Sequence, residues 1–336
     1  MSYLPTFLTT PLMVNLVAEI VDLSRAFDVH PKLIPNPTIR KINQLRTVHS
    51  STWIEGNTLT LDEVTAVIDG RRVVAPEREI LEVQQAFAAY AAVDGMDPYS
   101  LEDLLKAHGI MMKGIARDAG SLRQVEVGVY SGGKLLHAGT PHTELPQAMN
   151  ELFAWLGSSS DHPLIKGCFF HCAFEGIHPF TDGNGRAGRL WHSLINRRWR
   201  PQLAWTPVET MVASNQQDYY RVLRISNAGE ATTFIEFMLE MVRDALMDAI
   251  MRAEGFTDDP LSTPQVPPKI DDLVQDLLAV LGDHELSAVD IMAKLGLSDR
   301  KHFRESYLQP ALRIGLVEPT IPGKPRSPRQ RYRKVR

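Results

Sequence analysis

The sequence predicts an all-α protein that carries one small β-hairpin and a smaller C-terminal domain. Three observations predict it. Apolar residues recur at helical three- and four-residue spacing through most of the first 250 positions. One stretch, 124–137, alternates with period two instead. Residues 255–269 (GFTDDPLSTPQVPPK) hold four prolines and little apolar content, which reads as a linker between two bodies. A chain of 336 residues exceeds one small core and suits two or three domains. The expected division is a helical region 1–100, a core 101–254, the linker 255–269 and a small domain 270–336.

The first helix rests on Leu12, Leu16, Ile20 and Leu23, before Pro31, Pro35 and Pro37. Ile39, Ile42, Leu45 and Val48 predict a helix over 38–51 that runs into Glu55-Gly56-Asn57, where it should stop. Thr60 reads as the N-cap of the next helix, with Leu61, Asp62 and Glu63 in its first turn, and Gly70-Arg71-Arg72 ends it. Segments 77–95 and 100–117 are amphipathic. Val125, Val127, Val129 and Leu135 alternate around Ser131-Gly132-Gly133, a hairpin over 125–137. Helices follow at 143–157 and 163–175, then a Gly-rich loop 178–185, then helices from Arg186 to about Arg198, at 208–227 and at 231–253. Past the linker, helical patterns at 271–282, 287–295 and 299–314 precede a strand at Leu316-Val317-Glu318.

Composition excludes several classes. Hydrophobic residues at 44% and charged residues at 23% are ordinary for a soluble globular chain. A net charge of -4 and a pI near 6.3 exclude a uniformly basic nucleic-acid coat and leave a local basic patch open. The N-terminal stretch lacks the parts of a signal peptide, and no apolar run reaches membrane-span length, so no membrane association is expected. Cys168 and Cys172, four apart, cannot frame a disulfide scaffold and fit a reducing cytoplasm. With His171 they offer only three zinc ligands within one helical turn, so buried helix thiols are the expectation.

The chemistry concentrates in His178-Pro179-Phe180-Thr181-Asp182-Gly183-Asn184-Gly185-Arg186-Ala187-Gly188-Arg189. Gly183 and Gly185 permit torsions that turn successive N–H groups into one anion nest. Arg186 opens a helix, whose N-terminus adds donors and positive potential. Arg186 and Arg189, three apart, share a face and can hold phosphate oxygens. Asp182 is a hard oxygen ligand suited to Mg²⁺. His178 is a base that works near neutral pH. A base, a metal ligand, a phosphate cradle and two cations suit phosphoryl-group chemistry. The P-loop pattern does not occur.

These twelve residues resemble the Fic motif, His-x-Phe-x-Asp/Glu-Gly-Asn-Gly-Arg-x-x-Arg, with every fixed position filled. The resemblance covers roughly residues 38–250 and implies a helical Fic core with ATP at the loop. It implies that His178 is the general base for a target Ser, Thr or Tyr hydroxyl and that Asp182 holds Mg²⁺. Gly183, Asn184 and Gly185 would bind phosphate, and Arg186 and Arg189 the β- and γ-phosphates. The implied reaction transfers AMP to a protein, or to the enzyme itself, and releases pyrophosphate. The hairpin 125–137 sits where the family places its target-docking flap, and strand addition there would bind a target segment. Asp218-Tyr219-Tyr220 with Asn227 is similar to the family segment whose second Tyr and later Asn contact the nucleoside; Tyr220 reads equally as core.

Ser51-Thr52-Trp53-Ile54-Glu55-Gly56 resembles the family's inhibitory motif, Ser/Thr-x-x-x-Glu-Gly/Asn, extended by Asn57-Thr58. The resemblance implies that Ser51, Glu55 and Gly56 form an intramolecular brake. Glu55 would pair with Arg189 and occupy the place of the γ-phosphate. In some relatives the same Glu serves removal of AMP, so adding and removing AMP both remain open.

Residues 271–336 look like a winged helix-turn-helix, with a Ser287 cap, a turn at Gly296-Leu297-Ser298, a recognition helix from Asp299 to about Ile314 broken at Pro310, and a wing from Pro319 to Arg331. From Pro319 onward there are seven Lys or Arg and no acid, so DNA and a protein both remain open as its partner. Two other readings stand beside AMP transfer: a nucleotide-sensing DNA-binding regulator, and transfer of phosphate, phosphocholine or UMP. Met238, Met241, Met247 and Met251 read as core or as an interface, a homodimer's included.

Overall fold

The computed structural model describes residues 3–29, 37–131, 134–201, 203, 206–254, 272–282, 284–297, 303–308, 311–312, 316–320 and 330–335. The expected linker 255–269, Pro31 and Pro35, Gly132-Gly133 and Pro310 lie outside them, as do parts of the expected recognition helix and wing. The chain divides into two compact units, 1–265 and 266–336.

The first unit is helical. Its helices are α1 (Pro11–Val29), α2 (Pro37–Ile54), α3 (Leu61–Ile68), α4 (Glu77–Ala92), α5 (Leu101–Met111), α6 (Leu145–Ser158), α7 (Pro163–Ile177), α8 (Asn184–Trp199), α9 (Val208–Ser214), α10 (Gln216–Asn227) and α11 (Thr232–Glu254). Strands β1 (Gly128–Ser131) and β2 (Lys134–Ala138) pair antiparallel, with a bulge between Val129 and Tyr130. The centre of the unit is α7. Its residues are buried on every side from Leu164 to Glu175, which marks a helix surrounded by others rather than one lying on a surface. α8 packs closely along it. A Cβ on Gly167 would lie 2.8 Å from both His192 Cδ2 and Asn196 Oδ1, so the crossing requires a residue without one. Phe153, Phe170 and Trp191 pack edge-on around this crossing, and the Trp191 indole donates to the Pro98 carbonyl at 2.9 Å.

α2 is positioned by its polar side as much as by its apolar one. Leu45 and Val48 enter the core, while Ser50 shares a buried hydrogen bond with Thr210 at 3.1 Å. The helix stops after Ile54 because Gly56 takes a left-handed conformation at φ 103°. Thr60 and Glu63 then form a capping box for α3. Residues 1–100 share this unit with the rest: α1 packs along α11, and α2 against α9 and α4.

Several expected elements differ. The core face of α1 is Met13, Leu16, Ile20 and Ser24, and Leu12 is exposed. The segment 100–117 is helical only to Met111; beyond it the chain turns at Gly114 and Gly120, both at positive φ. The segment 208–227 is two helices. Asn215 leaves the helical region and its amide donates to the Met211 carbonyl at 2.9 Å, capping α9 from the side. The hairpin begins at Gly128, and Val125 before it is exposed. Met238 and Met241 are core, whereas Met247 and Met251 are exposed.

The second unit holds α12 (Asp272–Leu281), α13 (Ala288–Lys294) and a two-stranded ribbon of β3 (Val317–Pro319) and β4 (Tyr332–Lys334). Ser287 and Asp290 cap α13 reciprocally. Where the recognition helix was expected, Phe303–Leu308 forms a π-helical turn. Val274, Leu277, Ile291, Phe303 and Val317 form the core. In the ribbon, Arg333 pairs with Glu318 at 2.7 Å and with Glu285 at 3.3 Å, so part of the basic tail is already neutralised.

His192 lies wholly buried beside α7, and burial pushes its imidazole down to about 4. Below its ordinary value of 6.5 an unfolded His takes up a proton that the folded one refuses until about 4. Stability therefore falls as pH drops through that window. His192→Gln is expected to shrink the loss of Tm between about pH 7 and pH 4.5. Equal losses in variant and wild type would count against this assignment.

Candidate active site

α7 ends at His178, which takes the left-handed conformation at φ 54° and ψ 61°. Among the described residues it is the only non-glycine at positive φ, a conformation that needs support from its surroundings. Its N–H donates to the Phe174 carbonyl at 2.9 Å. Its carbonyl accepts from Arg123 Nε at 2.8 Å. Nδ1 lies 3.3 Å from the Glu175 carbonyl, which only accepts, so Nδ1 carries the proton and the lone pair belongs to Nε2.

Arg123 was not identified from the sequence. It is fully buried, and its guanidinium hydrogen-bonds three main-chain oxygens, those of His178, Val125 at 2.7 Å and Thr140, with the Glu126 carboxylate 3.8 Å away. Its own N–H donates to the Pro179 carbonyl at 3.0 Å. One side chain thus ties the start of the loop to both ends of the hairpin stem. A Cβ on Gly139 would meet Arg123 Nη2 at 2.9 Å and His178 Cβ at 3.2 Å, which shows how closely the stem and His178 approach.

The loop is rigid by construction. Phe180 is buried and stacks on His108, with ring centroids 3.5 Å apart. His108 Nδ1 accepts from Gly120 N at 3.0 Å, so its Nε2 donates to the Asp182 carbonyl at 3.0 Å; burial lowers its pKa and keeps it neutral. Asn184 uses both ends of its amide on Phe180, accepting from N and donating to O at 2.9 Å each. Gly183 sits at φ 84°, and a Cβ there would fall 2.6 Å from Met112 Sδ. α8 then begins at Asn184, directing its first N–H groups toward the loop.

Asp182 lies in a charge cluster. Its Oδ1 accepts from Gly183 N at 2.6 Å and from Arg186 at 3.2 Å, and its Oδ2 from Arg78 at 3.1 Å. Arg78 also reaches Glu82 at 3.1 Å, which itself accepts from Asn57 at 3.2 Å. The cluster joins α4, the turn after α2 and the loop.

Arg189 is buried and faces the end of α2. Its Nη2 donates to Glu55 Oε1 at 2.7 Å and to the Ser51 carbonyl at 3.0 Å, and its Nε to Ser51 Oγ at 3.3 Å. Glu55 occupies space that a Cβ on Gly185 would fill, since that atom would lie 2.2 Å from Oε1. Tyr220 Oη and Gln216 Nε2 both donate to the Ile54 carbonyl at 3.1 Å, holding the end of α2 in place. Tyr220 therefore touches the segment that carries Glu55. Beneath Arg189, burial raises the Glu175 carboxyl to about 8, helped by the Glu55 charge, and raises Glu209, which accepts from Tyr90 and Ser193 at 3.0 Å.

A cavity of about 340 Å³ lies beside His178, bounded by Gly139, Thr140, Gly176 and Asn227. Asn227 Oδ1 is buried there with no hydrogen-bond partner among the described residues. The site therefore brings together His178, Asp182, Gly183, Asn184, Gly185, Arg186, Arg189, Ser51, Glu55 and Gly56 at one junction. Asn227 lines the adjoining cavity, and Tyr220 approaches through α2. Cys168 and Cys172 are buried thiols, and no group of three or more metal-ligating side chains occurs among the described residues. Arg123, His108 and Arg78 carried no spacing signal, because each reaches the loop 178–185 from 55 to 104 positions away.

Family models agree with this geometry. Residues 98–195 match the Fic/DOC family, and residues 272–334 match the C-terminal domain of the Filamentation induced by cAMP protein Fic-like family. A solved Fic family protein from Desulfovibrio desulfuricans G20 is 44% identical over 98% of both chains, with a TM-score of 0.72. A protein adenylyltransferase Fic from Nematostella vectensis is 26% identical over 228 residues, covering 64% of this chain and 50% of its own. The protein adenylyltransferase fic-1 from Caenorhabditis elegans is 28% identical, covering 57% and 38%. The chain thus spans half or less of the length of these curated relatives.

Arg123→Met is expected to strand three carbonyls and cost about 2–4 kcal/mol of stability, since a buried unpaired acceptor costs roughly 1–3 kcal/mol. Chemical denaturation measures it; a change below about 1 kcal/mol would show that the carbonyls find other donors.

Proposed function

The chain belongs to the Fic family, and on that premise we propose that it moves AMP from ATP onto a protein hydroxyl and that Glu55 restrains this activity. The observation that carries the reading is the convergence of the His178 lone pair, the loop N–H groups, Arg186 and Arg189 at the start of α8. A triphosphate laid along the loop meets backbone donors and then two guanidinium groups. His178 Nε2 takes the proton of the incoming hydroxyl as its oxygen bonds to the α-phosphorus. The bond from that phosphorus to the bridging oxygen breaks, and pyrophosphate leaves.

Mg²⁺ fits this site in one way only. Asp182 is partly exposed and stands alone as a carboxylate on the loop, with no all-protein cage around it among the described residues. That suits a cation held by one carboxylate and by substrate phosphates, where it neutralises phosphate charge. Gly183 N and Arg186 orient the Asp182 carboxylate in readiness.

The restraint follows from one contact. The 2.7 Å pair between Glu55 and Arg189 takes the guanidinium that a γ-phosphate would use. ATP then settles without that anchor, and a misplacement of about 1 Å costs roughly a hundredfold in rate. Among the described residues β1 and β2 pair only with each other, so each keeps an outer edge that suits a target segment added as a strand, which would bring its hydroxyl toward His178.

Incubation with Mg²⁺ and α-labelled ATP, with γ-labelled ATP as control, tests both parts. Glu55→Gly is expected to raise α-label on protein by about a hundredfold, and adding His178→Ala to lower it again by about 10²–10⁴. Equal labelling by wild type and Glu55→Gly would remove the restraint, and label that survives His178→Ala would remove the base. Absence of α-label from every sample would remove AMP transfer itself.

A further inference from the structure

The cavity beside His178 has a wall that no part of the catalytic loop supplies. Its near side is Gly139 and Thr140 of the hairpin stem, its floor α7, and its far side Ser226 and Asn227 of α10. The remaining side is the start of the chain, Tyr3, Leu4 and Pro5. We propose that Tyr3–Pro5 forms one wall of a purine-nucleoside site and makes discrimination between bases depend on the N-terminal segment. The proposal rests on the ATP reading above and names a determinant for that same site.

Four observations support it. First, the cavity adjoins the base: Gly139, on its wall, stands so close to His178 that a Cβ would lie 3.2 Å from His178 Cβ. A triphosphate on the loop leaves its nucleoside to be housed next to that point. Second, the volume of about 340 Å³ falls within the range of small-molecule sites. Third, the wall is chemically mixed in the way such sites are. Asn227 Oδ1 is a buried acceptor with no partner among the described residues, suited to an exocyclic amino group, while Leu4 and Pro5 offer apolar surface to a flat ring. Fourth, the segment is fastened in place. Thr6 N donates to the Gly229 carbonyl at 3.0 Å, and Ala231 N to the Thr6 carbonyl at 2.8 Å. Leu8 N donates to Thr232 Oγ1 at 3.0 Å, and Thr10 Oγ1 to Glu236 Oε1 at 2.6 Å. Phe7 packs on Phe169 and Trp155.

The Tyr3 side chain also bonds Glu144, but the bonds made by Thr6, Leu8 and Thr10 do not pass through residues 1–5, and this makes the wall removable. Deleting residues 1–5 takes away the wall and leaves every bond from Thr6 to Thr10 in place. Leu4→Gly/Pro5→Gly, which keeps the chain length, serves as the second variant. Both are made in the Glu55→Gly background, and unfolding midpoints show that the fold persists. Binding of ATP, GTP and inorganic tripolyphosphate is measured by calorimetry with Mg²⁺. Loss of one apolar wall is expected to weaken ATP by about tenfold or more, with tripolyphosphate changed less than about twofold. The preference for ATP over GTP is expected to shrink with it. Unchanged ATP affinity and preference in both folded variants would overturn the proposal and leave the ATP reading standing. A full-length protein that binds ATP no better than tripolyphosphate would overturn the nucleoside site, and with it the ATP reading.

Discussion

The buried guanidinium of Arg189 governs the arrangement around it. A buried cation left without an anion is costly, so some acceptor must always meet it. In this structure Ser51 gives both its carbonyl and its hydroxyl, and Glu55 gives a carboxylate. Burial works against the Arg189 charge, and Glu55 with Tyr219 and Tyr90 together outweigh that effect, so the guanidinium holds its proton more firmly than an ordinary arginine. Other carboxyls stand nearby without competing. Burial keeps Glu175 protonated up to about 8 and raises Glu209, while Glu55 is the carboxylate that bonds Arg189 directly. The demand of this one cation for an anion is what links α2 to the loop.

Three arginines divide the remaining work by what they bond to. Arg123 gives its hydrogen bonds to main-chain oxygens and so fixes geometry: the His178 carbonyl, the hairpin stem and the loop entry move together or not at all. The left-handed conformation of His178 is held by the same contacts. Arg78 and Arg186 instead share the Asp182 and Glu82 carboxylates, and Asn57 reaches Glu82 from the turn that follows Glu55. The turn carrying Gly56 is thereby tied to the loop twice, once through Arg189 and once through this cluster.

The segment 178–189 was legible because its parts are adjacent in the chain. A run of twelve residues with three glycines, an acid, a base and two arginines has few structural explanations. The stop at Gly56 and the capping box of Thr60 were legible for the same reason, since both are settled within four or five residues. Lengths failed where a side chain intervened: Asn215 turns its amide onto the Met211 carbonyl and splits one expected helix into α9 and α10. Periodicity also misplaced the face of α1, where Met13 and Ser24 are buried and Leu12 is not, because packing against α11 selects the face.

By itself the sequence determined the all-α class with one hairpin, the residues of the loop and those of the segment that ends α2 at Gly56. Only the tertiary structure decided what those residues meet. The Glu55–Arg189 pair joins positions 134 apart, Arg123 reaches His178 across 55, and the N-terminal strap reaches Thr232 across 224. No local pattern encodes such contacts. They arise when burial of the helices around α7 brings distant segments together and every polar group enclosed there must find a partner.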